Sequence, residues 1–544
     1  MKSISGIGVC PGVVSAPAFF VARANHTEKV LGNVVDVLNA LENVARDLDA
    51  KASKTNMTVA KDVIEAQAMI ARDPELHTKI EILMGDTSTD IKIILEKSFD
   101  QFKSDLISIG GYFAERVSDI DEIMHLVVNK LSGVKEVSID LKSDSIIVAE
   151  DLSPADTALI DLKFVKGLVI SKGGPTSHTA IVARTLGIPA IVGAAGAEKI
   201  GHSVLLLLDG RKGSVIIDPS RDEIDNALEK EKEFKKRIFH IKGPGRLKDK
   251  NLINMLANAG NIHDAKNAIS FGAEGIGLFR TELLYLNQSN KPTIDEQVNL
   301  FAELFEIFKD KKVILRTLDA GSDKPVPFLN SVREENPALG VRGWRLVREH
   351  KQIIIEQIKA ISMAAEKSNC DVWVMAPMIA TPGEAREFSD LAKSFGIKKV
   401  GVMIETPAAA ILADKILAEV DFASLGTNDL TQYVMAADRL DSRISDLTNT
   451  WHPSVLRMAQ ITGSYATKMK KPLGVCGEAA ADPLLAAVLI GLGVTSLSMS
   501  SNSIQEVKGF ISTLSKKQCE KVALKVVLCS SANEAKDLAQ KELS

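Results

Sequence analysis

The segment Gly173-Gly174-Pro175-Thr176-Ser177-His178, followed by TAIVARTLGIPAIVG, has residue types that chemistry needs. A glycine-rich turn leads into Thr/Ser at a helix N-cap, and the helix is expected to end at Gly187 before Pro189. His178 then stands at the amino-terminal end of that helix. Unpaired N–H groups and the positive dipole end favour a bound anion there and disfavour an imidazolium. A neutral histidine in such a place is a nucleophile whose phosphorylated product its surroundings stabilise. A histidine that merely sits in a turn is the competing account.

Glu405 and Asp429 each follow a short apolar run. Two carboxylates with room for water suit magnesium, a hard ion that takes its other ligands from phosphate oxygens. A structural ion pair with a neighbouring arginine would use the same residues. Arg280, Arg316, Arg342 and Arg439 sharpen the choice, because guanidinium forks bind carboxylate and phosphate and neutralise charge during phosphoryl transfer. Together these groups imply a small polyanion, and phosphoenolpyruvate (PEP) fits. Cys476, between glycines in GVCGE, could protonate an enolate carbon. Buried cysteine is also commonly inert packing. Cys10, Cys370, Cys519 and Cys529 have no such company and read as structural.

The elements that must position these groups are visible in the hydrophobic pattern. After residue 250, LINMLAN, GIGLF, KVILRT, VWVMAPM, KVGVMIE, FASLG, LGVCGE and SLSMS are eight nearly continuous apolar runs, with helix-like segments between most of them. Continuous apolar strands alternating with helices imply a parallel sheet, and eight of them fit a closed (β/α)8 barrel. Barrel chemistry sits at the carboxyl ends of the strands. Those ends carry Arg280 and Glu282, Arg316, Glu405, Asn428 and Asp429, and Cys476 and Glu478. A charge that merely solvates a loop explains one or two of these, not all.

Upstream the texture differs. From about 30 to 133 apolar residues recur at three- and four-residue spacing, which predicts a block of four or five helices. From about 145, SIIVAE, GLVIS, PAIVG, SVLLLLD and SVIIDP predict short strands of a compact α/β domain ending near Pro219. The first twenty residues read as one irregular strand around Pro11 and Pro17. A charged helix over 221–243 reads as a solvated connector.

Composition sets the outer bounds. The 544 residues are enough for about three to four domains. Sixty-six basic against 70 acidic side chains give −4, which excludes a basic nucleic-acid surface as the dominant feature. An aromatic share of 5% argues against stacking platforms for single-stranded nucleic acid. Five scattered cysteines without a CxxC pair fit free thiols in a reducing cytoplasm. The start MKSISGIGVCPGVV has no apolar signal region. The apolar stretch LLAAVLIGLGV at 484–494 is about half of what a bilayer needs. A soluble, cytoplasmic protein without membrane insertion is expected.

GGPTSHTAIVARTLGIPAIVG, GAEGIGLFRTELLY, VILRTLDAGSDK, EENPALGVRGWR, GVMIETPAAA, SLGTNDLTQYVMAADR and LGVCGEAAADP, in this order, resemble the PEP-utilising enzymes. Order and lengths are most similar to the enzyme I family of bacterial phosphotransferase systems, over nearly the whole chain. The resemblance implies transfer of the PEP phosphoryl group to His178 through Nε2 and then to the phosphocarrier HPr, with release of pyruvate. It implies that Thr157, in DLSPADTA, hydrogen-bonds the resting histidine. Arg280, Arg316, Arg439, Asn428 and the Asp429 backbone match PEP ligands, and Arg342 falls at a further active-site arginine. Glu405 and Asp429 match Mg2+ ligands, and Cys476 matches the acid that gives pyruvate.

The implied map is a phosphohistidine α/β domain over 1–27 and 141–225, interrupted by a helical HPr-binding domain over 28–140. A linker helix over 226–248 and a PEP-binding barrel over 249–544 follow, and the family forms homodimers through the barrel. Two departures stand out. Pro175 replaces the family's usual arginine, and Glu65-Ala66-Gln67 replaces the common Glu-Ala-His in the helical block. PEP synthase and the dikinases share the ENPALGVRGWR texture but add an ATP-grasp domain. No segment before 145 could hold one, and no GxxxxGK[ST] occurs. The nitrogen-regulatory branch would add an N-terminal sensory domain, for which the thirty residues ahead of the helices leave no space.

Overall fold

The computed structural model describes residues 3–21, 32–53, 58–84, 91–109, 117–133, 139, 141–152, 163–174, 178–239, 243–286, 290–321, 326, 328–329, 334–439 and 442–543. The chain divides into two compact units, Met1–Lys232 and Glu233–Ser544.

The first unit carries an eight-stranded sheet. Strands β1 (Ser3–Ser5), β2 (Ile7–Cys10) and β3 (Val13–Val21) precede a run of helices. Strands β4 (Ser145–Ala149), β5 (Val165–Ile170), β6 (Ala190–Val192), β7 (Leu205–Asp209) and β8 (Ser214–Ile217) follow it. The order is β1-β8-β7-β3-β4-β5-β6-β2. β3 pairs in parallel with β4, Ala18 opposite Ile146, so the chain returns from the helices beside the strand it left. Alternate residues serve opposite faces, as the period of a strand requires. Ile147 and Leu168 pack on one face with Ala180 and Ala183, while Ile146, Val148 and Leu206 build the core of the other.

The single irregular strand expected over the first twenty residues is three strands. Gly12 has φ +137°, a conformation reserved for glycine, and Pro11 beside it has no N–H for a ladder.

Among the described residues, five helices fill the span between β3 and β4: Val34–Ala52, Thr58–Ala71, Pro74–Met84, Ile91–Ile109 and Val117–Leu131. Asn33 caps the first, its side chain accepting from Asp36 N–H while the Asp36 carboxylate accepts from Asn33 N–H. Val37, Leu41, Val44 and Leu48 line its buried face and pack with Phe99 and Phe102 in a core separate from that of the sheet. Gln67 is wholly buried in this bundle, so the position that departs from the family pattern belongs to the interior and not to an exposed face.

The second unit is a closed parallel barrel. Its strands are β9 (Asn254–Ala259), β10 (Gly275–Arg280), β11 (Lys312–Arg316), β12 (Asp371–Ala376), β13 (Lys399–Ile404), β14 (Phe422–Leu425), β15 (Leu473–Val475) and β16 (Ser496–Met499). They follow chain order around the ring, and β16 closes in parallel onto β9. Each of the eight apolar runs named after residue 250 became a strand, because strands covered by helices outside and side chains inside are buried on both faces. Leu256, Ile314, Trp373, Met375, Met403 and Phe422 build the interior column, with Cys476 in the same cluster. No described helix is long and apolar enough to cross a membrane.

Candidate active site at the rim of the barrel

Parallel strands all end at one rim, so residues far apart in sequence meet there. Arg316 closes β11 and is 5% exposed. It donates from Nη2 to Glu282 Oε1, and its Nη1 lies 3.1 Å from Asp319 Oδ2. Arg342 is 1% exposed and grips the same Asp319 with Nε at 3.2 Å and Nη2 at 3.0 Å. Its Nη1 lies 3.2 Å from Asp429 Oδ1. Burial alone would weaken the Arg316 charge, but Glu282, Asp319 and Glu405 outweigh it and hold the guanidinium firmly protonated.

Glu405 follows β13 and is wholly buried. Its Oε1 accepts from Met378 N–H at 2.6 Å. Met378 holds a left-handed φ of +59° to present that N–H, a strained geometry for a non-glycine residue. Burial, with Asp429 and Asp319 nearby, pushes the Glu405 carboxyl up to about 8, against the pull of Arg316 and Arg342. Glu405 Oε2 is a buried acceptor with no hydrogen bond, while Asp429 Oδ1 has the Arg342 guanidinium 3.2 Å away. Buried acceptors in proteins are almost always satisfied, so the open Glu405 oxygen near the Asp429 carboxylate is where a cation would fit.

Asn428 and Asp429 occupy the first turn of the helix Thr427–Met435, directly past β14. Asn428 Oδ1 accepts from Glu478 N–H at 3.1 Å, tying the β14 end to the β15 end. Arg439 lies in the turn beyond that helix, its Nη1 3.8 Å from Asp429 Oδ2 and its N–H donating to Gln432. Cys476 follows β15 and is 3% exposed. Burial pushes its thiol up to about 11, with Glu405 raising it further and Ser424, Arg316 and Arg280 pulling it down. It is therefore held as a thiol, its Sγ 3.7 Å from Leu425 O and within electrostatic reach of Arg316 and Arg280. Arg280 ends β10 with an exposed side chain.

The glycines of these turns are required by close approach. A Cβ on Gly426 would come within 2.5 Å of Glu405 Oε2. One on Gly477 would meet Thr427 Oγ1 at 1.9 Å.

Three family descriptions cover most of the chain: the PEP-utilising enzyme N-terminal domain over residues 5–116, its mobile domain over 141–213 and its PEP-binding domain over 238–516. A phosphoenolpyruvate-protein phosphotransferase of Streptomyces coelicolor is 41% identical over 93% of this chain and 91% of its own. The chain belongs to the phosphoenolpyruvate-protein phosphotransferase family of the PEP-utilising enzymes. The Bacillus subtilis phosphoenolpyruvate-protein phosphotransferase is 34% identical over 98% of both chains. A solution structure titled Enzyme I is 28% identical, covers 43% of this chain and 99% of its own, and has a TM-score of 0.39.

In this family member the rim gathers Arg316, Arg342, Glu405, Asp429, Arg439 and Cys476, with Asn428 beside them. His178 opens the helix His178–Leu186 in the other unit, and its side chain lies outside the described atoms. The approach to that helix turns at Gly173, φ +78°, and its end turns at Gly187, φ +67°, as the glycine spacing required. Thr179 donates from Oγ1 toward Asp151 Oδ1 at 3.4 Å, and Arg184 Nε donates to Val9 O at 3.1 Å. Thr157, Pro175 and the N-cap position before His178 lie outside the described residues.

Two working residues escaped the sequence reading. Asp319 is the anchor of both buried arginines. Gln357, wholly buried, donates to Thr281 Oγ1 at 3.0 Å and Tyr285 OH at 3.2 Å and accepts from Leu318 N–H at 2.9 Å. Thr281 Oγ1 in turn donates to Arg316 O at 2.8 Å, so Gln357 braces the segments on both sides of the arginine.

The residues fit a magnesium ion by the chemistry of the donor set, a Glu405 oxygen without a hydrogen bond near the Asp429 carboxylate. Among the described residues no cluster of three or more His, Cys, Asp or Glu could hold a metal. Glu405 and Asp429 would thus leave most of the ion's positions to water and substrate oxygens, which is how magnesium is commonly held.

Proposed function

We propose that this protein transfers the phosphoryl group of PEP to its own His178 and then to the phosphocarrier protein HPr, releasing pyruvate. This is the first step of a cytoplasmic sugar phosphotransferase system. The observation that carries the reading is the rim itself: buried arginines, two buried carboxylates of which Glu405 keeps an oxygen without a hydrogen bond, and a protonated thiol. The 41% identity to a named phosphotransferase supports the same reaction.

Arg280, Arg316, Arg342 and Arg439, with Asn428 and the Asp429 backbone, hold the phosphate and carboxylate of PEP. His178 Nε2 attacks phosphorus, and the bond between phosphorus and the enol oxygen breaks. The enolate carbon takes the Cys476 proton and becomes the methyl group of pyruvate, and solvent restores the thiol. Preorganised arginines stabilise the transferring group without reorganising, which is most of what phosphoryl transfer asks of a protein. Magnesium, when bound by Glu405 and Asp429, supplies positive charge to the phosphate. Thr157 orients the resting histidine.

The acceptor belongs to the α/β segments 1–27 and 141–225, and the rim belongs to 249–544. The transfer therefore requires the two to meet during the cycle, with 226–248 as the link between them. The helices within 28–140 are the HPr-docking domain, and two barrels form the dimer.

Incubation with 32P-labelled PEP and magnesium, with and without HPr, tests the reading. Acid-labile, base-stable label on the protein that moves to HPr is expected, and none in His178→Ala. Label that persists in that variant would sink the assignment.

A further inference from the structure

The barrel has a second opening. At the amino-terminal mouth, where the strands begin and opposite the catalytic rim, lies a cavity of about 460 Å3. Asn254, Lys312, Phe422 and Ser496, each the first residue of its strand, line it. Barrel interiors are ordinarily filled by bulky branched side chains. Here the small residues Gly277, Ser424, Gly474, Ser496 and Ser498 are interspersed around the ring with Leu256, Ile314, Trp373 and Phe422. The small residues leave space that the large ones do not fill.

The lining is basic. Lys312, Lys470, Lys471 and Lys516 line it, and among the described lining residues there is no Asp or Glu, while Asp249 at its edge accepts from Lys516 N–H at 2.8 Å. Lys471 donates from Nζ to Val420 O at 2.7 Å, and Lys312 Nζ sits 4.0 Å from the centroid of the Trp373 ring. The nearest carboxylate to Lys312, Asp371, is engaged by Trp373 Nε1 at 2.8 Å. Burial weakens the Lys312 charge and Lys399 weakens it further, only partly offset by Asp371, so an anion there would be a gain.

Two helices, Pro453–Met469 and Pro483–Gly491, end at this mouth and bring about −0.5 charge each. Together they cancel one lysine of four. Some of their last-turn carbonyls are already taken, Ala466 O and Thr467 O by Lys470 N–H and those of Val488, Leu489 and Ile490 by Leu492 N–H.

We propose that the amino-terminal mouth of the barrel is a second ligand site, for a small organic anion whose phosphate or carboxylate meets Lys312, Lys470 and Lys516. Its apolar body packs on Leu256, Ile314 and Phe422. The site is independent of the transfer reaction. Its floor shares the interior column with Met375, Met403 and Cys476.

Calorimetric titration of the full chain with phenyl phosphate, a probe with both halves of this chemistry, tests the proposal. One probe per chain bound at the mouth, in addition to any held by the rim arginines, is expected to persist in a rim variant, Arg280→Ala. Lys470→Glu with Lys516→Glu, both exposed, should weaken binding by about tenfold or more. Ser496→Leu, which fills the cavity, should remove it while circular dichroism stays unchanged. Absence of binding at millimolar probe, equal affinity in the double lysine variant, or loss in Arg280→Ala alone would each overturn the site.

Discussion

Arg342 and Asp319 form a two-bonded pair at full burial, Nε to Oδ1 at 3.2 Å and Nη2 to Oδ2 at 3.0 Å. Because Asp319 Oδ2 also lies 3.1 Å from Arg316 Nη1, one carboxylate sets the spacing of two guanidinium groups from separate segments. Planar forks held this way present their remaining N–H groups in a fixed direction, which suits a phosphate better than flexible lysines would.

Replacing Asp319 with Ala should therefore harm both fold and function. It leaves two buried cations short of a partner, and breaking a buried pair costs about 3–5 kcal/mol. Urea unfolding should show that loss, and pyruvate formation from PEP should collapse. Asp319→Asn keeps the shape without the charge and should fall between the two. A variant with parental stability and turnover would show that Asp319 anchors nothing.

Gly426→Ala probes the carboxylate pair without touching it. The added methyl would lie 2.5 Å from Glu405 Oε2 and 2.8 Å from Met403 Cε, so the Glu405 carboxylate must shift. Outer supports of this kind are commonly worth about 10–100-fold in metal affinity. The magnesium concentration for half-maximal pyruvate formation should rise by that factor, with activity largely restored at high magnesium. An unchanged magnesium curve would remove Glu405 from the metal site.

The barrel was legible because its strands are buried on both faces and so read as unbroken apolar runs, even the three residues Leu473–Val475. Its rim was legible by inference, since parallel closure brings every carboxyl end together. What the pattern hid were residues that work by contact across segments. Asp319 looks like one more loop acid until the fold sets Arg316 and Arg342 on either side of it. Gln357 carried a fainter signal: it interrupts the buried stripe of Ile354, Ile358 and Ile361 on a helix, where a polar side chain must find partners. The break of the first strand at Pro11-Gly12 was written in the residues, but alternation of small and branched types on both sides masked it.

Stability should fall in mild alkali. Burial pushes Cys370 and Cys519 up to about 12 and Cys476 up to about 11, and raises Tyr285 as well. The unfolded chain then releases these protons first. The contribution is complete below about pH 8, where unfolded thiols are still protonated, and is lost as pH rises toward the folded values. Denaturant midpoints should hold steady below that point and drop above it. A midpoint that stays flat through pH 10.5 would mean that these thiols ionise alike in both states.

Cys476 allows a sharper test, because the acid role needs the thiol and not the thiolate. With the thiol pushed up to about 11, it stays protonated across the neutral range, and its own ionisation should not cut the rate below about pH 10. Cys476→Ala should slow pyruvate formation by about 10²–10⁴-fold, the usual worth of a positioned acid. Phosphorylation of His178 should persist, since cleavage of the phosphorus–oxygen bond does not use the thiol. The same group must remove a methyl proton when pyruvate returns to its enolate, so exchange of the pyruvate methyl protons in D2O should vanish in the variant. Exchange at the parental rate would place the acid elsewhere and return Cys476 to the barrel's packing.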